Sequence, residues 1–160
     1  MTYGYTADAA EAASGAVSLV GAQLYYGTST TTYTNDFFTQ LGGLISLPAV
    51  GAAYDLVSVA TLAGEKKAFG LKKFGGGDFL FNFIESSTGQ QAVPAMVGAP
   101  TPINWALVLA NKATSTGTGT TLFFKGTVFA FDAPNGGASA SFQRKLTLQL
   151  QTDVVYQVAS

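Results

Sequence analysis

Residues 121–153 read TLFFKGTVFAFDAPNGGASASFQRKLTLQLQTD, two alternating runs on either side of Asp-Ala-Pro-Asn-Gly-Gly. Successive side chains of a strand point to opposite faces. In the second run Phe142, Leu146, Leu148 and Leu150 therefore share one face, while Gln143, Lys145, Thr147, Gln149 and Gln151 share the other. Asn135 and Gly136 tolerate the positive φ of a tight hairpin turn, and Pro134 cannot extend a hydrogen-bonded ladder. The stretch predicts a long β-hairpin with one face on a core and the other wet, carrying few reactive side chains.

The same period of two finds further strands upstream. Residues 103–110 (INWALVLA) form an apolar run expected to be a buried strand. Residues 78–85 (DFLFNFIE) put Phe79, Phe81 and Phe83 on one face and Leu80 and Ile84 on the other, so both faces are expected to be covered. Residues 22–26 (AQLYY), 37–47 (FFTQLGGLISL) and 55–62 (DLVSVATL) complete the strand set, with Gly42 and Gly43 as an expected bulge. Residues 87–98 are the helix candidate: Ser87 or Thr88 caps it, Ala92, Val93, Met96 and Val97 form an apolar stripe, and Pro94 works against it. Residues 7–14 are Ala-rich but too few for an isolated helix, and are read as part of an N-terminal arm over residues 1–21. Residues 22–160 are then a single β domain, long enough to bury a core without metals or disulfides.

Charged residues make up only 11% of the chain against about 25% in an ordinary soluble domain, and 48% of residues are hydrophobic. Such a surface defends a monomer poorly against association. A formal net charge of −1 gives no basic field to hold nucleic acid. The absence of Cys and His removes disulfides, thiolate or imidazole metal sites and the histidine-based nucleophile systems. No phosphate-binding or dinucleotide glycine motif is complete. Asp78 and Glu85 fall on opposite faces of one strand and read as rim carboxylates, while Asp55, Asp132 and Asp153 sit at strand ends, where Asp favours turns. No catalytic, cofactor-binding or metal-binding residue is assigned. The start lacks a basic segment followed by a compact apolar one, and residues 12–35 are uncharged but too polar to span a bilayer. The expectation is a soluble chain made in the cytoplasm, with no membrane partner.

Residues 63–77 (AGEKKAFGLKKFGGG) hold Lys66, Lys67, Lys72 and Lys73, half of all the basic residues. Their glycines predict a projecting loop. Phe69, Leu71 and Phe74 are interleaved with the lysines, and an exposed loop seldom carries so much apolar surface unless something covers it. These seven residues are the candidate contact surface between subunits, with Asp55, Asp132 and Asp153 of a neighbour as acids for the lysines to meet. Trp105 and the phenylalanines lie in apolar runs without adjacent basic residues and read as core rather than a platform for nucleic-acid bases.

Taken in order, residues 44–83 (strand, turn, Asp-led strand, long loop, strand), 87–96 (STGQQAVPAM) and 121–153 resemble the major tail tube protein of long-tailed bacteriophages, of the siphophage type. The resemblance rests on order, spacing and composition over most of residues 38–153. It implies a mainly β, sandwich- or barrel-like subunit with one short helix, an extended N-terminal arm and a long projecting loop. Hexameric rings would stack into a hollow conduit for DNA delivery. It implies no enzyme activity and no cofactor. It implies partnership with further copies and with tape measure, terminator and distal tail proteins, a place in the virion tail, and DNA that passes without specific binding. The closing hairpin would then supply wall, with the polar face of Gln143, Lys145, Thr147 and Gln149 as a candidate lumen lining. Two alternatives remain: a related virion protein that stops at one ring, such as a tail terminator or connector, and a carbohydrate-binding or adhesion β-sandwich.

Overall fold

The computed structural model describes residues 4–6, 21–27, 37–111, 114–136 and 142–159. Its strands are β1 (Gly4–Thr6), β2 (Gln23–Gly27), β3 (Phe37–Leu41), β4 (Leu44–Ser46), β5 (Ala52–Thr61), β6 (Gly64–Phe74), β7 (Gly76–Asn82), β8 (Ile103–Val108), β9 (Thr121–Phe131), β10 (Gln143–Leu150) and β11 (Val155–Gln157). One short helix, α1 (Thr88–Ala92), runs into a 3-10 turn (Val93–Met96) between β7 and β8.

Nine strands form one sheet in the order β1-β3-β2-β8-β9-β10-β7-β4, with β11 added to β9. All pairings in it are antiparallel except that of β1 with β3. β3 and β4 lie towards opposite ends of this order, yet only Gly42 and Gly43 join them. Three backbone steps reach at most about 11 Å, so the sheet has to curl until its two ends meet. The Gly-Gly read as a bulge within one strand is therefore the turn that closes the wall. Gly43 adopts φ 82 there, a conformation that side chains disfavour, and its carbonyl accepts a hydrogen bond from Asn82 N at 2.8 Å.

The curled sheet encloses one main core. Trp105 and Leu107 of β8 meet Phe79 and Phe81 of β7 and Leu146, Leu148 and Leu150 of β10, all buried. The leucine face expected from the closing run is thus the inner face. β8 is buried on both sides, as its unbroken apolar run predicts: Ala106 packs outward with Tyr25, Phe38 and Phe123 in a smaller cluster. Tyr5 of β1 adds to this cluster, edge-on to Tyr25 at 4.9 Å and stacked on Phe38 at 5.7 Å. This part of the segment read as an arm is an edge strand of the sheet, while residues 7–20 lie outside the described residues.

β9 and β10 form the expected hairpin, with an irregularity. Thr147 pairs with Ala130 but Leu148 with Val128, so Phe129 is an extra residue, and it is exposed. The turn differs as well. Asn135 already pairs with Gln143, so the connection is longer than a two-residue Asn-Gly turn, and residues 137–141 lie outside the described residues. Phe142 precedes the strand and is exposed, against its expected place on the inner face.

The helix is shorter than residues 87–98. Ser87 caps it, its Oγ accepting from Gln90 N at 3.2 Å, and Pro94 then stands at the start of the 3-10 turn, where a missing N–H costs no hydrogen bond. The helix plugs the closing seam. Buried Gln90 donates from Nε2 to the carbonyls of Gly42 and Asn82, both at 2.8 Å, and its Oε1 accepts from Ile84 N at 3.3 Å. Gln90→Ala leaves these groups without that partner and is expected to lower stability by about 2 kcal/mol, read as an earlier urea unfolding midpoint.

Candidate subunit interface

β5 and β6 pair only with each other, as a separate two-stranded ribbon. The segment read as a projecting loop is therefore mostly strand. The alternation was hidden because neither face is consistently polar. The turn at the tip is closed by Thr61 Oγ1 donating to Gly64 O at 2.7 Å.

The register assigns the faces. Tyr54 pairs with Lys72, Leu56 with Phe69 and Ser58 with Lys67 on one face; Val57 pairs with Ala68 and Val59 with Lys66 on the other. An extra residue on β6 opposite Asp55 shifts the pairing between them. Both faces are open to solvent: Phe69 is 84% and Leu71 77% exposed, and Tyr54, Leu56, Val57 and Val59 are exposed too. Tyr54 and Phe69 lean together with ring centroids 5.6 Å apart.

At its root the ribbon is gripped by the body. Gly75 N donates to Gly51 O at 2.6 Å, Leu150 N to Gly75 O at 3.0 Å and Gln149 Nε2 to Phe74 O at 2.8 Å. The run Gly75, Gly76, Gly77 is a packing requirement. A Cβ on these residues would lie 2.5 Å from Gly51 O, Leu148 O and Pro48 Cβ respectively.

The lysines divide. Lys72 pairs with Asp153 at 2.5 Å, Lys73 with Asp55 at 2.9 Å and Lys67 with Glu65 at 2.8 Å. The bond to Asp153 raises the pKa of Lys72, whose ammonium also lies 5.7 Å from the Tyr54 ring centroid and 5.4 Å from that of Phe74. The bond to Lys67 lowers that of Glu65. Asp55 and Asp153, expected to meet these lysines from a neighbour, thus meet them within the chain, because the ribbon register and the nearby C-terminal segment bring them together. Phe74 also differs from its expected role. It is half-buried and packs on the main core, whereas Phe69 and Leu71 stand clear of it.

On the polar face of β10, Lys145 lies 3.8 Å from Asp78, Thr147 Oγ1 donates to Asp78 Oδ1 at 2.7 Å, and Gln149 holds the ribbon root. Gln143 pairs through its backbone with Asn135. The face is polar and its facing charges are balanced. Among the described residues no group of three or more Asp or Glu is placed to hold a metal ion. Sequence reasoning overlooked Tyr54, Leu56, Val57 and Val59 as surface residues. The available signal was a strand, 55–62, with apolar residues on both faces directly before a lysine-rich strand of the same kind.

No protein-family model and no curated protein matches this chain. Solved structures do share its fold. A chain in the cryo-EM structure of the PVC extracellular contractile injection system, sheath/tube terminator in the extended state, superposes with a TM-score of 0.65 at 13% identity, over 89% of this chain and 96% of that one. A chain of the tail of the empty GTA particle, computed with C6 symmetry, gives 0.58 at 10% identity, over 85% and 95%. The SPP1 tail tube gives 0.54 at 11%, over 86% and 78%. The chain has the mainly β tail-tube fold that the order of its segments resembles.

Proposed function

We propose that this chain is a non-enzymatic structural subunit of a phage-like tail, a major tail tube protein whose rings stack into a hollow tube. The observation that carries this is the β5–β6 ribbon. It is a two-stranded sheet with apolar side chains exposed on both faces, fixed to a body that already has its own closed core. A lone hairpin is marginal in water, and a surface of this kind belongs under a partner. The C6 symmetry of the GTA tail supports six copies per ring. In this reading Phe69 and Leu71, with the ribbon's lysines, lie at subunit contacts. The face of Gln143, Lys145 and Thr147 lines the lumen, where the Lys145–Asp78 pair leaves little net charge to hold the phosphates of passing DNA. Tape measure, terminator and distal tail proteins are the other partners, and the site of action is the virion tail, after synthesis in the host cytoplasm.

A terminator that stops at one ring is the second reading, favoured by fold counterparts in structures of a sheath/tube terminator and a tube-terminating cap. Negative-stain microscopy of the concentrated protein separates them. Uniform hollow tubes are expected; discrete single rings would support the terminator, and a monomer at all concentrations in the ultracentrifuge would overturn both.

A further inference from the structure

The ribbon Ala52–Thr61/Gly64–Phe74 carries Lys66, Lys67, Lys72 and Lys73 against Asp55 and Glu65, a net charge of +2 that leaves −3 for the remainder of a chain whose total is −1. Among the described residues outside the ribbon the balance is −1, Asp78, Glu85, Asp132 and Asp153 against Lys125, Arg144 and Lys145, and this difference in sign favours contact between the limb of one copy and the body of another. The ion pairs narrow the place. Asp55, Glu65, Asp78 and Asp153 each have a lysine within the chain. Arg144 Nε donates to the backbone carbonyl of Asp132 at 2.9 Å, close enough for the two charges to interact, and Lys125 has interactions of its own. Among the described residues this leaves Lys66 and Glu85, of opposite sign and both exposed, without a charged partner.

Their positions are complementary as well. Lys66 lies near the ribbon tip, beside Val59, on the face that also carries Val57 and Ala68. Glu85 lies just beyond β7, at the end of that strand away from the ribbon root. Two residues before it, Phe83 N donates to Phe142 O at 2.8 Å, which brings the exposed Phe142 to the same end of the sheet. A lysine among aliphatic side chains at one end of the molecule is thus complementary to a carboxylate that shares the other end with an exposed aromatic residue. A contact between unlike ends repeats from copy to copy.

We propose that the Val57, Val59 and Ala68 face of the ribbon docks on a second copy at the surface around Glu85 and Phe142, with Lys66 and Glu85 as the ion pair between copies. This rests on the self-assembling role above and specifies which surfaces meet. Charge reversal tests it. Lys66→Glu and Glu85→Lys each turn attraction into repulsion and are expected to raise the critical concentration for assembly about tenfold, while the double variant returns to within about twofold of wild type. Treating assembled wild-type protein with a carbodiimide is expected to give a Lys66–Glu85 amide cross-link by mass spectrometry, absent from dilute monomer. This readout is independent of whether a variant folds. Wild-type assembly with no effect of the reversals, no recovery in the double variant, or no such cross-link would overturn this docking and leave the tube reading standing. Wild-type protein that never assembles would remove both.

Discussion

Replacing Phe69 and Leu71 together by Ser is expected to raise the concentration needed for assembly about 100-fold, while the isolated subunit unfolds as before. Exposed as they are, these side chains lose apolar contact only with whatever covers the ribbon. Burying an aromatic anchor contributes more than about 2 kcal/mol and a partly covered leucine about 1 kcal/mol, and each 1.4 kcal/mol is about tenfold in concentration. Lys67→Ala should shift the threshold by less than about fivefold, because Lys67 is already paired with Glu65 within the chain and an exposed ion pair to a neighbour would contribute only about 0–1 kcal/mol. Sedimentation across a dilution series reads assembly. The fluorescence of Trp105, the only tryptophan, reads the core in the same samples. Phe74 is unsuitable for this pair, since it packs on the body. An unchanged threshold in the Phe69/Leu71 variant would show that these two side chains stay solvated in the assembly.

Trp105→Ala is expected to have the largest effect on folding, a loss of about 3–5 kcal/mol, set against a total of about 5–15 kcal/mol for an ordinary domain. Trp105 is fully buried at the middle of β8, 6.3 Å from the Tyr26 ring centroid, and its indole N–H donates to Gly126 O at 3.3 Å. Removing it leaves a cavity between the two halves of the curled sheet and one carbonyl without that donor. Because the variant has no tryptophan, unfolding is followed by far-ultraviolet circular dichroism. A midpoint within experimental error of wild type would contradict the central place given to this residue.

Alternation made the inner wall legible. Leu146, Leu148 and Leu150 on one side of a run and Gln143 to Gln149 on the other are enough to orient a strand, and the unbroken run around Trp105 is enough to bury one on both sides. The ribbon was less legible because its apolar residues face solvent rather than a core. Two-sided apolar strands interrupted by lysines resemble neither a half-buried strand nor a solvated loop. Closure was invisible for a different reason: nothing local to Gly42 and Gly43 says that the strands flanking them belong to opposite ends of one sheet. Gln90 was out of reach for the same reason. Its partners, Gly42, Asn82 and Ile84, are assembled only when the wall closes.

The root of the ribbon sets unequal terms for evolutionary change. At Gly75, Gly76 and Gly77 even a methyl group would collide with the backbone of Gly51 or Leu148 or with the Pro48 ring, so any drift there disturbs the body. A few residues away, β5 and β6 pair only with each other, and beyond Lys72 and Phe74 the body constrains their sequence little. A lineage can therefore rewrite most of the limb while the three glycines stay fixed as a graft point.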